Sequence, residues 1–108
     1  MCSLDKILTA LADNRRRTTL YYLQEHQTLP LPDVAELVAE REHEATVAEL
    51  SGEEVKRIYL SLYHTHVPRL VDAALAHYEQ EDDLVAATEN TASVVERVCE
   101  DLQPLRRD

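Results

Sequence analysis

The 108-residue chain contains no Phe and no Trp, and its five Tyr are its only aromatic residues. The hydrophobic core is therefore expected to be aliphatic. Only one Gly and four Pro are present, whereas an all-β fold needs a turn signal about every 8–12 residues. This shortage of turn-forming residues favours a mainly α-helical chain, and the length suits a single domain.

Long apolar runs and a cysteine framework are also missing from the sequence. No run of about 18 apolar residues suggests a membrane span, and residues 1–13 lack the apolar region of a signal peptide. Cys2 and Cys99 stand far apart without CxxC spacing, which predicts neither a zinc site nor a disulfide framework. We therefore expect a cytoplasmic protein with no membrane contact.

Lysine is scarce, because Lys6 and Lys56 are the only lysines among 11 basic residues. With 21 acidic residues the formal net charge is −10. Abundant acids, with Arg in place of Lys, suit a protein that stays soluble in concentrated salt, where the Debye length is about 3 Å at 1 M. We expect a halophilic protein, and an ordinary acidic protein is the alternative.

Amphipathic segments in the first half of the chain predict short helices. An apolar residue recurs every three or four positions between residues 4 and 11, and Asp13 or Asn14 can cap a second helix. Pro32 at the first helical position starts a third helix. Residues 27–31, between the second and third helices, are expected to form a loop or a short strand.

A fourth helix is predicted to begin after Ser51. Ser51 and Glu54 have the spacing of a capping box, in which each side chain accepts from the backbone N–H of the other residue. Pro68 interrupts the pattern, because proline removes one helical hydrogen bond and clashes with the carbonyl four residues earlier. We therefore expect a kink or a new helix start near Thr65. The predicted apolar stripe of this helix is Val55, Ile58, Tyr59, Leu62, His66 or Val67, Leu70, Val71 and Ala74.

The last third of the chain predicts a hairpin and one further helix. Residues 76–79 and 84–88 flank an acidic run and are expected to pair as a β-hairpin, and Asn90 or Thr91 caps a helix that stops before Pro104. The fold class is mainly α, a winged helix-turn-helix with a small β-hairpin wing and a C-terminal helix. Residues 1–90 form the winged helix-turn-helix domain, and residues 91–108 a C-terminal dimerisation helix and tail.

Two motifs resemble the arsenic-repressor-like (ArsR-like) transcription factors. Residues 8–23, LTALADNRRRTTLYYL, resemble the opening motif of that family, and residues 63–75, YHTHVPRLVDAAL, resemble its recognition helix and exit. The second run is also similar to small haloarchaeal winged-helix proteins. The resemblance covers about residues 4–90 and implies a DNA-binding transcriptional regulator. Ala74 stands where the family usually has Gly, and a positive φ there costs about 1 kcal/mol.

The predicted DNA-binding residues form two groups. Arg15, Arg16 and Arg17 are the only basic cluster before the C-terminal tail and can hold phosphates. Alternatively, Arg16 or Arg17 anchors an internal acid, Asp13 or Asp72. The second group can contact bases or phosphates in a major groove, unless it is only a solvated face. It consists of Lys56, Arg57, Ser61, His64, Thr65 and Arg69.

The charge distribution bears on this prediction in two opposite ways. The net charge is +1 for residues 1–30 and 0 for residues 53–78, compared with −5 for residues 31–52 and −6 for residues 79–108. The least acidic surface therefore coincides with the predicted DNA-binding residues. The acidic run at residues 79–83, by contrast, lies at the predicted wing tip, where DNA phosphates would repel it.

Two apolar stripes predict a homodimer. A C-terminal helix of about three turns is marginal in water, so its stripe needs a partner surface. A symmetric dimer would also set two recognition helices about 34 Å apart, one DNA turn. Alternatively, this helix completes the core of one chain. The predicted interface residues are Leu4, Ile7, Leu8 and Leu11 on the first helix and Val95, Val98 and Leu102 on the last.

No enzyme or metal motif accompanies these features. The sequence has no GxSxG, phosphate loop or HExxH motif, and no cofactor is expected. His64 and His66 are two positions apart, so a helix separates them by about 200° and they cannot share an ion. The prediction is a DNA-binding transcriptional regulator that acts as a homodimer on double-stranded DNA. The alternative is a winged-helix module that no longer binds DNA and whose acidic surface contacts a basic protein partner.

Overall fold

The computed structural model describes residues 4–102, and the side chains of residues 4–97. Within these residues a mainly helical chain carries a small antiparallel sheet, which confirms the predicted mainly α class. The elements are α1 (Leu4–Leu11), α2 (Asn14–His26), β1 (Thr28–Pro30), α3 (Leu31–His43), α4 (Gly52–Ser61), α5 (Val67–Asp72), β2 (Ala76–Glu79), β3 (Leu84–Ala87) and α6 (Glu89–Leu102). A 3₁₀ turn, Val47–Glu49, precedes α4, and a π-helical turn, Leu62–His66, joins α4 to α5.

Some predicted features lie outside the described residues. They are the thiol of Cys2 and the helix stop at Pro104. The side chains of Cys99 and of two predicted interface residues, Val98 and Leu102, are also outside the described part.

The core is aliphatic, as the absence of Phe and Trp predicts. It lies between α2, α3, the helical residues 52–72 and the inner face of the sheet. Among the described residues, Tyr21 is the only buried aromatic side chain. Burial of one Leu or Val side chain contributes about 1.5–3 kcal/mol to the stability of the fold. The largest fully buried aliphatic residues are Leu20, Leu23, Leu31, Leu62, Leu70, Leu75, Val34, Val38 and Val85.

The sheet has the strand order β1-β3-β2, and both pairings are antiparallel. β2 and β3 pair as the predicted hairpin, with Ala76 opposite Ala87 and Glu79 opposite Leu84. Residues 27–31 were predicted to form a loop or a short strand, and the structure has strand β1 there. This strand pairs with the edge of β3 opposite to β2. The hairpin is therefore attached to the chain between α2 and α3.

The helical segment from residue 52 to residue 72 begins where the sequence predicts, and its α-helix is interrupted before Pro68. The capping box is present: the Ser51 hydroxyl accepts from the Glu54 N–H at 3.1 Å, and the Glu54 carboxylate accepts from the Ser51 N–H at 3.4 Å. Pro68 lies in the first turn of α5, after the π-helical turn in which the Val67 N–H donates to the Leu62 carbonyl. The helix start expected near Thr65 is thus confirmed. We call residues 52–72 the α4–α5 segment.

The π-helical turn also changes which residues face the core. Val71, predicted to face inward, is 41% exposed, whereas its neighbour Ala73 is fully buried. A π-helical turn holds more residues than an α-helical turn, so the positions after it are rotated relative to an uninterrupted α-helix. The inward prediction for Val71 is therefore wrong.

The N-cap residue and the packing environment of helix α6 differ from those predicted. Thr88 caps it, since its hydroxyl accepts from the Asn90 N–H at 3.1 Å; Asn90 and Thr91 lie inside the helix. The Thr91 hydroxyl donates instead to the Leu75 carbonyl at 2.9 Å. Val95 is only 4% exposed and lies in the core of its own chain. It is therefore not on a free surface for a second chain, and α6 crosses the domain boundary predicted at residue 90.

Ala74 adopts the backbone conformation that was expected from its position. Its φ is 61°, in the left-handed region that favours glycine. Its carbonyl accepts hydrogen bonds from the Thr88 hydroxyl at 2.9 Å and the Asn90 amide at 3.1 Å, so α6 fixes the turn in this conformation. The chain therefore holds a strained alanine at the junction between α5 and the hairpin.

We predict that Ala74→Gly raises the free energy of unfolding by roughly 0.5–1 kcal/mol, because relief of the Cβ strain exceeds the added entropy of the unfolded chain. Denaturant unfolding followed by circular dichroism measures the change. Ala73→Gly is the matched control: Ala73 has φ −88° and needs no glycine, so this variant should lose stability. A destabilised Ala74→Gly variant would contradict the strain argument.

Candidate functional site

Arg16 connects α2 to α1 and to the α4–α5 segment. Its side chain is buried, with 7% exposure. The guanidinium donates from Nε to the Ala10 carbonyl at 2.7 Å and from Nη2 to the Thr9 carbonyl at 3.1 Å. Its Nη1 lies 2.9 Å from Nδ1 of His66, in the π-helical turn. One side chain thus satisfies backbone carbonyls near the end of α1 and holds the segment that carries the predicted DNA-binding residues.

The contact with Arg16 defines the state of His66. A guanidinium can only donate, so His66 Nδ1 must accept and the ring is neutral with its proton on Nε2. Burial lowers the pKa of His66 below 6.5, and the charges of Arg16, Arg15 and Arg69 lower it further, while Asp13 acts in the opposite direction. His64, two residues earlier, is exposed. The two histidines thus occupy different environments, as their spacing predicts.

Asp13 caps α2 next to this contact. Its carboxylate accepts from the Arg15 backbone N–H at 2.7 Å and lies 3.9 Å from His66 Nδ1. Burial would raise the pKa of Asp13, but that hydrogen bond and the charge of Arg16 hold it below its ordinary value. Asp13 therefore stays ionised and partly balances the buried guanidinium.

The other two arginines of the cluster also bind within the chain. Arg15 donates to both carboxylate oxygens of Glu42, at 2.5 and 3.0 Å, and Arg17 donates to the Leu11 carbonyl at 2.7 Å. The alternative partner Asp72 pairs instead with Lys6, at 3.2 Å. The internal role considered for these arginines is present: Asp13 acts on Arg16 through its charge, and the direct partners are carbonyls, His66 and Glu42. Their predicted contact with DNA phosphates stays a prediction.

The second predicted group lies along the exposed side of the α4–α5 segment. Within residues 4–102, the side chains of its three cations make no hydrogen bond or ion pair, and all three are exposed. Ser61 is half-buried, and the exposed His64 ring packs edge-on against Tyr63 with centroids 5.0 Å apart. The three cations are Lys56, Arg57 and Arg69.

A contact that the sequence patterns did not predict fixes the hairpin to the α4–α5 segment. Tyr59 donates to Asp83 at 2.6 Å, and Tyr78 donates to the other oxygen of the same carboxylate. The bond to Asp83 raises the pKa of Tyr59 to about 12, and burial and the same carboxylate raise the pKa of Tyr78. Tyr63 stacks on Tyr59 at 6.3 Å and meets Tyr78 edge-on at 6.0 Å. The spacing of Tyr59 and Tyr63 was the only sequence signal for this cluster.

A cleft of about 580 Å³ separates α1 from the end of the α4–α5 segment. It brings three of the predicted DNA-binding residues, His64, Thr65 and Arg69, next to α1. In the described part of the chain, no group of three or more His, Cys, Asp or Glu residues could hold a metal ion. None of the helices described there is long and apolar enough to cross a membrane.

We predict that His66 makes stability depend on pH. Since folding lowers its pKa below 6.5, the unfolded chain binds a proton more readily. This stabilisation is complete above pH 6.5 and is lost as the pH falls through 6.5 towards the folded-state pKa. His66→Asn keeps an acceptor for Arg16 but cannot titrate. Its free energy of unfolding should therefore fall less than that of the wild type between about pH 7.5 and about pH 5.

Exposed His77 provides the matched control for this measurement. His77→Asn should keep the pH dependence of the wild-type protein, because this exposed ring takes no part in the contact between Arg16 and His66. Equal pH dependence of the wild type and His66→Asn would show that His66 does not accept from Arg16 in its neutral form.

Comparison with known proteins identifies a family for this chain. Residues 8–86 match the model of a family described as a domain of unknown function (DUF7344). The matched region includes Arg16, His66, the α4–α5 segment and the β2–β3 hairpin except its last residue, Ala87. No curated protein and no solved structure matches the chain. The match spans most of the chain, which therefore belongs to the DUF7344 family of unknown function.

Proposed function

We propose that this protein is a DNA-binding transcriptional regulator with a winged helix-turn-helix fold. In this proposal α3 and the α4–α5 segment form the helix-turn-helix, and the latter is the recognition helix that enters the major groove. The β2–β3 hairpin is the wing. The strand order β1-β3-β2 and the position of β1 between α2 and α3 support the assignment.

The observation that carries the proposal is the position of the unpaired cations. Arg15, Arg16 and Arg17 are held by other groups of the chain, whereas Lys56, Arg57 and Arg69 project from the α4–α5 segment without partners among the described residues. At 1.5 Å per residue, Arg57 and Arg69 stand about 18 Å apart along the helix. Cations with this spacing can contact phosphates on either side of a groove.

Between these cations the segment presents side chains that can read bases. Thr65 is exposed and Ser61 is half-buried, and both lie between Arg57 and Arg69 along the segment. Hydroxyl groups accept from and donate to base edges, and Arg pairs with guanine. The segment thus carries groups for positioning contacts and groups for base contacts.

The wing contributes little to the affinity for DNA in this proposal. Glu79, Glu81 and Asp82 are exposed on the hairpin, and Asp83 fixes the hairpin beside the recognition helix. Phosphate repels these carboxylates, so attraction to DNA depends on the α4–α5 segment alone. Concentrated salt shortens the range of the repulsion. The proposal therefore includes a salt-rich cytoplasm, as in a halophilic archaeon.

The same acidic hairpin supports a second candidate function. An exposed acidic surface that Asp83 holds rigidly would fit a basic partner protein without ordering a loop on binding. In that case the protein is an interaction module that does not bind DNA. Loss of partner binding on substitution of Glu81, with no DNA binding in molar salt, would favour this candidate.

Exposed leucines on α1 support the homodimer part of the proposal. Leu4 is 69% exposed and Leu8 is 56% exposed, four residues apart on one side of the helix. Ile7 and Leu11 are half-buried beside them. A second copy of α1 across a two-fold axis would cover these side chains. With Val95 inside the core, the proposed interface depends on α1.

We predict that Arg69→Ala lowers the affinity for a DNA fragment of the protein's own promoter by roughly 1–3 kcal/mol. Fluorescence anisotropy in molar KCl measures the affinity, and thermal unfolding should be nearly unchanged because Arg69 is exposed. Arg97→Ala is the matched control, an exposed arginine on α6 away from the segment. Equal DNA affinity of Arg69→Ala and the wild type would show that Arg69 does not contact DNA.

We predict that Leu8→Asp converts the dimer into monomers, because it places a charge in the apolar α1 interface. Size-exclusion chromatography with light scattering should give about twice 12.3 kDa for the wild type and 12.3 kDa for the variant. Val47→Asp, at an exposed apolar residue far along the chain, is the control and should remain dimeric. Wild-type protein at 12.3 kDa in molar salt would show that α1 does not form a dimer.

A further inference from the structure

The cleft between α1 and the α4–α5 segment has the size of a small-molecule site. Its volume of about 580 Å³ lies within the range of about 300–1,000 Å³ that ligand pockets occupy. One wall belongs to α1, with Asp5, Lys6 and Thr9, and the other to the α4–α5 segment, with Thr65 and Arg69. Residue Ala10, which is almost fully buried, also lines the cleft.

The charges in the cleft are only partly paired. Lys6 and Asp72 form an ion pair across it at 3.2 Å and neutralise each other. Asp5 and Arg69, on opposite walls, have no ion-pair or hydrogen-bond partner among the described residues, and they do not pair with each other. The cleft thus presents one unpaired carboxylate and one unpaired guanidinium to the same space.

A second observation points to an anion next to Arg69. Burial is the main cause that lowers the pKa of the buried Arg16; the charge of Asp13 raises this pKa, and the charge of Arg69 lowers it. Arg16 donates to backbone carbonyls and a neutral imidazole, and neither guanidinium forms an ion pair with a carboxylate among the described residues. An anionic group at Arg69 would relieve this repulsion.

We propose that the cleft binds a free α-amino acid, with its carboxylate on Arg69 and its ammonium group on Asp5. A guanidinium forms paired hydrogen bonds with a carboxylate, and an ammonium group donates to a carboxylate. The hydroxyls of Thr9 and Thr65 line the same space and can complete the hydrogen bonds of both groups. A simple anion such as phosphate satisfies Arg69 but is repelled by Asp5.

Binding at this position has a consequence that depends on the proposed function. Arg69 is the residue that we assign both to the amino acid and to DNA, so the two ligands compete for it. The amino acid would then act as an effector that releases the protein from DNA. The amino acid could bind the isolated protein even if the protein does not bind DNA.

Nuclear magnetic resonance of the full-length ¹⁵N-labelled protein tests the proposal directly. The proteinogenic L-amino acids are added singly without DNA, and at least one should shift the amide signals of Thr9, Thr65 and Arg69. Its N-acetyl and carboxamide derivatives should bind at least about tenfold weaker, because each lacks one of the two charges. An absence of shifts with every amino acid, equal binding of the N-acetyl derivative, or tighter binding of inorganic phosphate would overturn the proposal.

Variants locate the binding to the two charged walls. Arg69→Gln and Asp5→Asn should each weaken binding of the active amino acid at least about tenfold, and both residues are exposed, so the fold should be kept. Arg97→Gln on α6 is the matched control and should bind as the wild type does. Unchanged binding by either cleft variant would contradict the assigned contacts.

DNA anisotropy separates this inference from the proposed function. If the cleft site and the proposed function are both correct, the active amino acid lowers the DNA affinity of the wild-type protein. Binding of the amino acid without any DNA binding would refute the proposed function and support the cleft site. DNA binding without any binding of an amino acid would refute the cleft site alone.

Discussion

The guanidinium of Arg16 joins three helical segments of the chain, α1, α2 and the α4–α5 segment. It donates to the carbonyls of Thr9 and Ala10 on α1 and to the ring of His66 on the α4–α5 segment. Carbonyls at a helix end lack intrahelical donors, and buried ones must be satisfied. Leaving a buried hydrogen-bond acceptor unsatisfied costs about 1–3 kcal/mol. The orientation of the α4–α5 segment relative to α1, and hence the cleft between them, depends on this contact.

The internal use of arginine explains how an acidic chain could carry a local cationic surface. The chain has 11 basic residues for 21 acidic ones. Arg15, Arg16 and Arg17 stabilise the junction of α1, α2 and α3, and Asp83 holds the acidic hairpin by two tyrosines. Lys56, Arg57 and Arg69 of the α4–α5 segment, by contrast, have no partner among the described residues. Their effect is local, because salt screens charges beyond about one Debye length.

Features encoded by residues close in sequence could be predicted. The Ser51 and Glu54 capping box, the helix start that Pro68 imposes and the β2–β3 hairpin follow from local hydrogen-bond geometry and alternation. The positive φ of Ala74 followed from the family resemblance. Short-range patterns therefore located these particular elements.

Features that depend on contacts between distant residues could not be predicted. Arg16 and His66 are 50 positions apart, and nothing in a basic cluster shows whether its donors point inward. The apolar stripe of α6 fits a dimer seam as well as a core, and the burial of Val95 depends on α2. Pairing of Asp72 with Lys6, which leaves Arg69 without a partner, is likewise a tertiary result. Among the predicted site residues, the structure thus separates the internal arginines from the exposed cations.

NMR mapping tests directly whether the exposed face of the α4–α5 segment binds DNA, as we propose. A duplex from the protein's own promoter is added to ¹⁵N-labelled protein in molar KCl, and amide shifts are followed along the chain. The largest amide shifts should occur at Lys56, Arg57, Thr65 and Arg69, and the shifts at the hairpin tip, residues 80–83, should be small. An absence of shifts, or shifts centred on the hairpin tip, would contradict it.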